Sequence, residues 1–102
     1  MADDPRHDEP RRATAEAVLT ISNRRGLHAR AAARFVKTAE RFACDVRVEK
    51  DGTEVCGTSI MGLLLLAAGT GEQITVRATG PEADEAVAAL TALVEGGFDE
   101  GE

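Results

Sequence analysis

The stretch CDVRVEKDGTEVCG, Cys44 to Gly57, decides the fold. Val46 and Val48 alternate with charged residues before Asp51-Gly52, and the alternation resumes at Val55 beyond it. A two-residue Asp-Gly link between alternating segments signals a tight antiparallel hairpin, because both link positions must take positive φ. The pattern predicts strands over residues 44–50 and 53–57.

Working outward, residues on both sides switch from the period of a strand to that of a helix. Upstream, Ala32, Phe35, Val36 and Ala39 recur at helical spacing from Ala29 to about Arg41. Before them, AVLTIS at 17–22 alternates as a strand, and NRRG supplies a turn. Downstream, Thr58 or Ser59 can cap a short helix through IMGLLLLA, which Gly69 and Gly71 are expected to end. EQITVRAT, 72–79, reads as the last strand, and Gly80-Pro81 opens a helix with the stripe Ala83, Ala86, Val87, Leu90, Leu93 and Val94. Gly96 or Gly97 closes that helix. The order β-α-β-β-α-β-α predicts an α/β open-faced sandwich: a four-stranded, mainly antiparallel sheet with helices on one face.

The chain has 102 residues, enough for one modest core. With three Phe and neither Trp nor Tyr, that core must be aliphatic. The polar start, MADDPRHDEPRR, lacks the apolar stretch of a signal peptide, and no run approaches the roughly 18 apolar residues of a membrane span. A cytoplasmic protein without a membrane role is expected. Residues 1–16 read as a flexible tail in which His7 is a solvated side chain, residues 17–96 as the folded domain, and residues 97–102 as a frayed acidic tail. Cys44 and Cys56 lack CxxC spacing and read as two reduced cysteines in neighbouring strands, so no metal site and no cofactor is expected.

Net charge is −6, but the charge is segregated. Six of the twelve basic residues lie between Arg24 and Arg41, whereas eight acids accompany only Arg77 from Glu72 onward. Such a chain is a poor general binder of nucleic acid. It suits a local basic patch facing an acidic partner or an anion. Arg30, Arg34, Lys37 and Arg41, stepping by four, three and four, share one helix face.

His28 stands where the chain enters that helix. The first amides of a helix have no intrahelical partner and present the positive end of the dipole, so they hold phosphate readily. The same field favours the neutral, nucleophilic form of a histidine ring. If a ring nitrogen accepted a phosphoryl group, the amides of Ala29 and Arg30 could hold its oxygens, with the Arg30 guanidinium adding a charge-assisted contact. No nucleotide-binding loop, carboxylate pair or second histidine in the folded part supplies an enzyme centre, so a reactive His28 reads as an acceptor loaded by another protein.

GLHARAA, 26–32, resembles the active-site signature of HPr, the histidine-containing phosphocarrier family of the phosphoenolpyruvate-dependent phosphotransferase system. GTSIMGLLLLA, 57–67, resembles that family's regulatory-serine and short-helix region, and the likeness covers roughly residues 17–96. The resemblance implies that phospho-enzyme I donates to Nδ1 of His28 and that His28 passes the group to a histidine of an EIIA-type protein. It matches Arg30 to the family's active-site arginine and Ser59 to the serine modified by an HPr kinase/phosphorylase. Ala31 stands where the family commonly has proline, which implies a less rigid loop with function retained. GLHARAA-type variants resemble the nitrogen-related branch, whose output is often regulatory rather than sugar transport.

A carrier that fits two partners in turn needs an apolar patch with a charged rim. Ile60, Met61 and Leu64 are the expected patch, beside Ala29 and Ala33 and extended by Leu65, while Leu63 and Leu66 fill the core. Arg30, Arg34 and Lys37 are the expected rim of a monomer. Two other readings remain at this stage. One is a module that binds an anionic metabolite without covalent change, and the other a metal-handling domain of similar shape, which the absent CxxC opposes.

Overall fold

The computed structural model describes residues 13–100, and the hairpin stands where the alternation places it. Strand β1 is Thr14–Thr20, helix α1 Ala29–Ala39, β2 Asp45–Lys50, β3 Thr53–Cys56, α2 Ile60–Leu66, β4 Gln73–Thr79 and α3 Ala83–Glu95. A 3-10 turn over Gly97–Asp99 follows. Asp51 and Gly52 take φ of 51° and 85°, as a tight hairpin link demands.

The four strands lie in the order β1-β4-β2-β3, every neighbouring pair antiparallel. The last strand therefore sits between the first and the second. Period-two alternation sends Leu19, Val46, Val48, Ile74 and Val76 to one face, where each is buried. Phe35 and Val36 of α1, Leu63 and Leu66 of α2, and Leu90 and Val94 of α3 pack on that face. The opposite face carries polar residues such as Glu16, Arg77 and Glu54, the arginine lying 3.4 Å and 3.3 Å from the two carboxylates. Such half-exposed ion pairs hold little stability, so the fold rests on the single aliphatic layer between sheet and helices.

Beyond shifts of one or two residues at strand ends (β1 stops at Thr20, β2 starts at Asp45, β3 stops at Cys56 and β4 starts at Gln73), four boundaries differ from the sequence expectation. Strand β1 begins at Thr14 rather than after residue 16, because Thr14, Ala15 and Glu16 find partners in Thr79, Ala78 and Arg77. Local composition reads charged residues there as a tail, and only the arrival of β4 makes them a strand. Helix α1 stops at Ala39, with Glu40 as its cap. Helix α2 ends not at a glycine but at Ala67, in the left-handed region with φ 52°, its amide turned back to Leu64 O at 3.1 Å. The small alanine side chain tolerates that turn at modest cost, and the turn delivers Ala68 into the core.

The fourth difference lies at the C-terminal end, where the expected frayed segment is packed. Phe98 is fully buried although its backbone takes φ 57°, a conformation costly for a residue with a side chain. Burying an aromatic ring outweighs that strain. Residues 1–12, His7 among them, and residues 101–102 lie outside the described residues.

Candidate functional site

The loop from Asn23 to Leu27 is held by the segment that follows α2. Leu27 donates its amide to Ala68 O at 2.9 Å. The Thr70 hydroxyl reaches the carbonyls of Asn23 and Arg24 at 2.5 Å and 2.8 Å. Gly26, at φ 68°, passes so close that a Cβ there would lie 2.6 Å from Ala68 O. Only glycine permits this crossing, and the crossing sets the point at which the chain enters α1.

His28 is the N-cap of α1, with φ −81° and ψ −179°. Its carbonyl accepts from Ala32 N at 2.8 Å, starting the helix, and its ring Nδ1 accepts from Arg30 N at 3.3 Å. An imidazole thus does what Ser, Thr, Asp or Asn usually does at this position. The ring is 19% exposed, with Ala29 and Arg30 exposed beside it. Its far nitrogen, Nε2, is paired with the Glu100 carboxylate. Glu100 is 6% exposed and also accepts from Asn23 Nδ2 at 3.1 Å. Burial by itself raises the Glu100 carboxyl. Hydrogen bonds from Asn23 and His28 and the positive charges of His28 and Arg34 outweigh it and hold the group below the usual carboxylate range.

Asn23 is buried and gives a second amide hydrogen to Gly26 O at 2.8 Å, while its Oδ1 has no partner. Exchanging its oxygen and nitrogen would set a carbonyl against two acceptors, Gly26 O and Glu100 Oε1, so the orientation is fixed by its neighbours. The residue spends both donors on shaping the loop and aiming Glu100, and leaves its acceptor unsatisfied.

The structure gathers His28, Ala29 and Arg30 at one helix end, as the sequence predicts. It distributes the basic stripe differently. Arg34 is half-buried and donates through Nη1 to Phe98 O, which ties α1 to the C-terminal segment rather than presenting a free rim charge. Lys37 and Arg41 remain exposed, and with Arg34, Thr38, Leu93 and Asp99 they line a shallow groove between α1 and the C-terminal segment.

Ser59 is the N-cap of α2, its Oγ accepting from Gly62 N at 2.9 Å. Ile60 and Met61 follow exposed, at 40% and 70%. Leu63 and Leu66 are core, as expected. The neighbouring pair inverts the expected emphasis: Leu65 is 76% exposed, whereas Leu64 and Ala33 are half-buried, Leu64 against the core. A seven-residue helix gives its leucines to inside and outside by angle alone, and a run of four leucines hides that angle. Cys44, just before β2, and Cys56, at the end of β3, are both free and half-buried.

Sequence reading missed Asn23, Thr70, Phe98 and Glu100. Phe98 carried a signal, as the only aromatic residue after Phe42. The role of Glu100 follows only from where Phe98 anchors the chain.

Both ring nitrogens of His28 are thus engaged, at the N-terminus of the first helix of an open-faced sandwich. The family model described as "PTS HPr component phosphorylation site" matches residues 15–96. The phosphocarrier protein HPr of Pseudomonas aeruginosa is 49% identical over 86 residues, covering 82% of this chain and 94% of that protein. The phosphocarrier protein NPr of Escherichia coli is 41% identical over 88 residues, covering 85% and 98%. A crystal structure of HPr from Thermoanaerobacter tengcongensis superposes with a TM-score of 0.83 at 41% identity, covering 86% of this chain and 99% of that one. The chain belongs to the HPr family of phosphocarrier proteins, carriers rather than catalysts, with a likeness to the nitrogen-related NPr members.

Among the described residues no helix is long and apolar enough to cross a membrane.

Proposed function

We propose that His28 is the phosphoryl carrier of this protein, accepting the group from phospho-enzyme I and passing it to a histidine of an EIIA-type protein. The observation that carries this reading is the placement of Nδ1: its lone pair faces the N-terminus of α1, with the Arg30 amide 3.3 Å away. In the forward step Nδ1 attacks phosphorus, the N–P bond forms and the bond from phosphorus to enzyme I breaks. The amide that caps the ring then donates to a phosphoryl oxygen, joined by the amide of Ala29, while the helix dipole and the exposed Arg30 guanidinium offset the negative charge. Delivery to the EIIA-type protein reverses these events, so the site needs no tight hold on the group.

Ile60, Met61 and Leu65 form the apolar docking patch, with Leu64 and Ala33 beneath it and Lys37 and Arg30 as its cationic rim. Exposed large apolar side chains on so small a protein suit transient docking of successive partners. Ser59 is the site of regulatory phosphorylation by an HPr kinase/phosphorylase: added charge at the start of α2 leaves the helix capped but sets an anion beside the patch. The protein acts as a monomer, since one copy holds every group the transfer uses.

The test is incubation with phosphoenolpyruvate and enzyme I, followed by intact mass under mildly alkaline conditions. The parent is expected to gain one acid-labile phosphoryl group and His28→Ala none. A parent that stays unmodified while the same enzyme I loads another HPr would exclude the reading.

A further inference from the structure

We propose that Glu100 is a positioning residue for the phosphoacceptor: its carboxylate, carried back to the loop by the buried Phe98, holds the His28 ring with the proton on Nε2 and the lone pair on Nδ1. The inference rests on the reading of His28 as carrier and adds to it a part of the chain that lies beyond the matched family region, which ends at residue 96.

Three observations converge on this. A carboxylate is an acceptor only, so the pairing of Glu100 with Nε2 requires a proton on Nε2. The contact on the other side is its complement, since Nδ1 accepts from the Arg30 amide and must therefore carry its lone pair. One neutral tautomer satisfies both contacts, and it is the tautomer in which Nδ1 is the nucleophile. The carboxylate is itself held. Asn23 donates to Oε1 at 3.1 Å from a buried position whose own acceptor goes unsatisfied, and Arg34 pins the Phe98 carbonyl two residues upstream.

The arrangement is also suited to the product. With phosphorus on Nδ1 and hydrogen on Nε2 the ring carries a positive charge, and the Glu100 carboxylate lies against the nitrogen that shares it. The incoming phosphoryl group meets the opposite, amide-lined side of the ring. Glu100 thus orients the ring and offsets its charge without touching the transferred group. The titratable and charged groups bearing on Glu100 are His28 and Arg34.

The test pairs ring-nitrogen NMR with transfer kinetics on the full chain. In the parent, at a pH where the ring is neutral, the nitrogen shifts are expected to show a protonated Nε2 and an unprotonated Nδ1. Glu100→Gln keeps an acceptor for Nε2–H and is expected to preserve that pattern. Glu100→Ala is expected to move both nitrogens toward averaged shifts and to lower kcat/KM for phosphorylation by about tenfold, chiefly in kcat, the scale of a lost orienting contact. Circular dichroism and the unfolding midpoint check that both variants are folded, and Asp99→Asn, at the exposed neighbour, serves as a further control. Ring shifts unchanged in Glu100→Ala would overturn the proposal, as would a parent with its proton on Nδ1. Shifts that respond in a parent that enzyme I does not phosphorylate would leave the positioning role standing and remove the carrier reading.

Discussion

Gly26 and Ala68 cross so closely that the carbonyl of one occupies the place where a side chain of the other would start, at 2.6 Å. The crossing joins the histidine loop to the end of α2, and with them the two sequence motifs that lie some thirty residues apart. Gly26→Ala adds a backbone clash to a φ of 68°. The expected loss is about 2–4 kcal/mol, combining left-handed strain with displacement of Ala68. Urea unfolding measures it, and a midpoint equal to the parent's would show that the loop has another way across.

Phe98→Ala separates a packed C-terminal segment from a frayed one. Removing a fully buried ring costs about 3–5 kcal/mol, whereas truncating a solvated side chain changes stability by less than about 0.5 kcal/mol. The difference in unfolding free energy decides between them. The variant should also lose the His28–Glu100 pairing, visible as the ring-nitrogen change expected of Glu100→Ala.

Ser59 has two roles that two substitutions distinguish. Ser59→Ala removes the Oγ acceptor of Gly62 N and should cost about 1 kcal/mol. Ser59→Asp retains a capping oxygen and stability near the parent's, yet it should slow phosphorylation of His28 by placing charge beside the docking patch. Equal phosphorylation rates for Ser59→Asp and the parent would remove the regulatory role.

Docking through α2 predicts a different signature. Met61→Glu, at a side chain 70% exposed, should leave stability within about 0.5 kcal/mol of the parent. It should raise the KM for enzyme I about tenfold with kcat little changed, because contact is lost and chemistry is not. A fall confined to kcat would place Met61 elsewhere in the reaction.

Acid should release the C-terminal segment before it unfolds the domain. The Glu100 carboxyl lies below its ordinary range in the folded protein, so the folded state binds its proton less readily than the unfolded chain does. Its contribution is full above the unfolded value, about 4.3, and is lost as pH falls through the folded value. Hydrogen exchange at Asp99 and Glu100, followed from pH 6 downward, should quicken across that window beyond its intrinsic rate. In Glu100→Gln the added dependence should vanish; the same slope in both proteins would assign the effect to another carboxylate.

The sequence makes the middle of the molecule legible and its ends obscure. Asp51-Gly52 determines a hairpin by backbone sterics alone, and Phe35, Val36 and Ala39 fix the buried face of α1 by their spacing. His28 is legible for the same local reason: a turn residue precedes it and a helix follows. Thr14–Glu16 become strand only because β4 lies alongside, a contact across some sixty residues that no local window contains. Phe98 lies in a conformation its own preferences oppose, so propensity points away from the observed packing. Ala67 does the same at the end of α2, where glycine was expected. Glu100 was obscure because its role depends on Phe98 being anchored first.

The strand order β1-β4-β2-β3 has a consequence for synthesis. Strand β1 pairs with β4, made some sixty residues later, and the His28 ring pairs with Glu100, made 72 residues later. A chain emerging from the ribosome can close its hairpin at once, but β1 waits for Thr79 and the ring waits for Glu100. A nascent chain therefore exposes α2 before β4 and the His28–Glu100 pairing are in place, so the pairing of β1 and the fixing of the His28 ring both come late in synthesis.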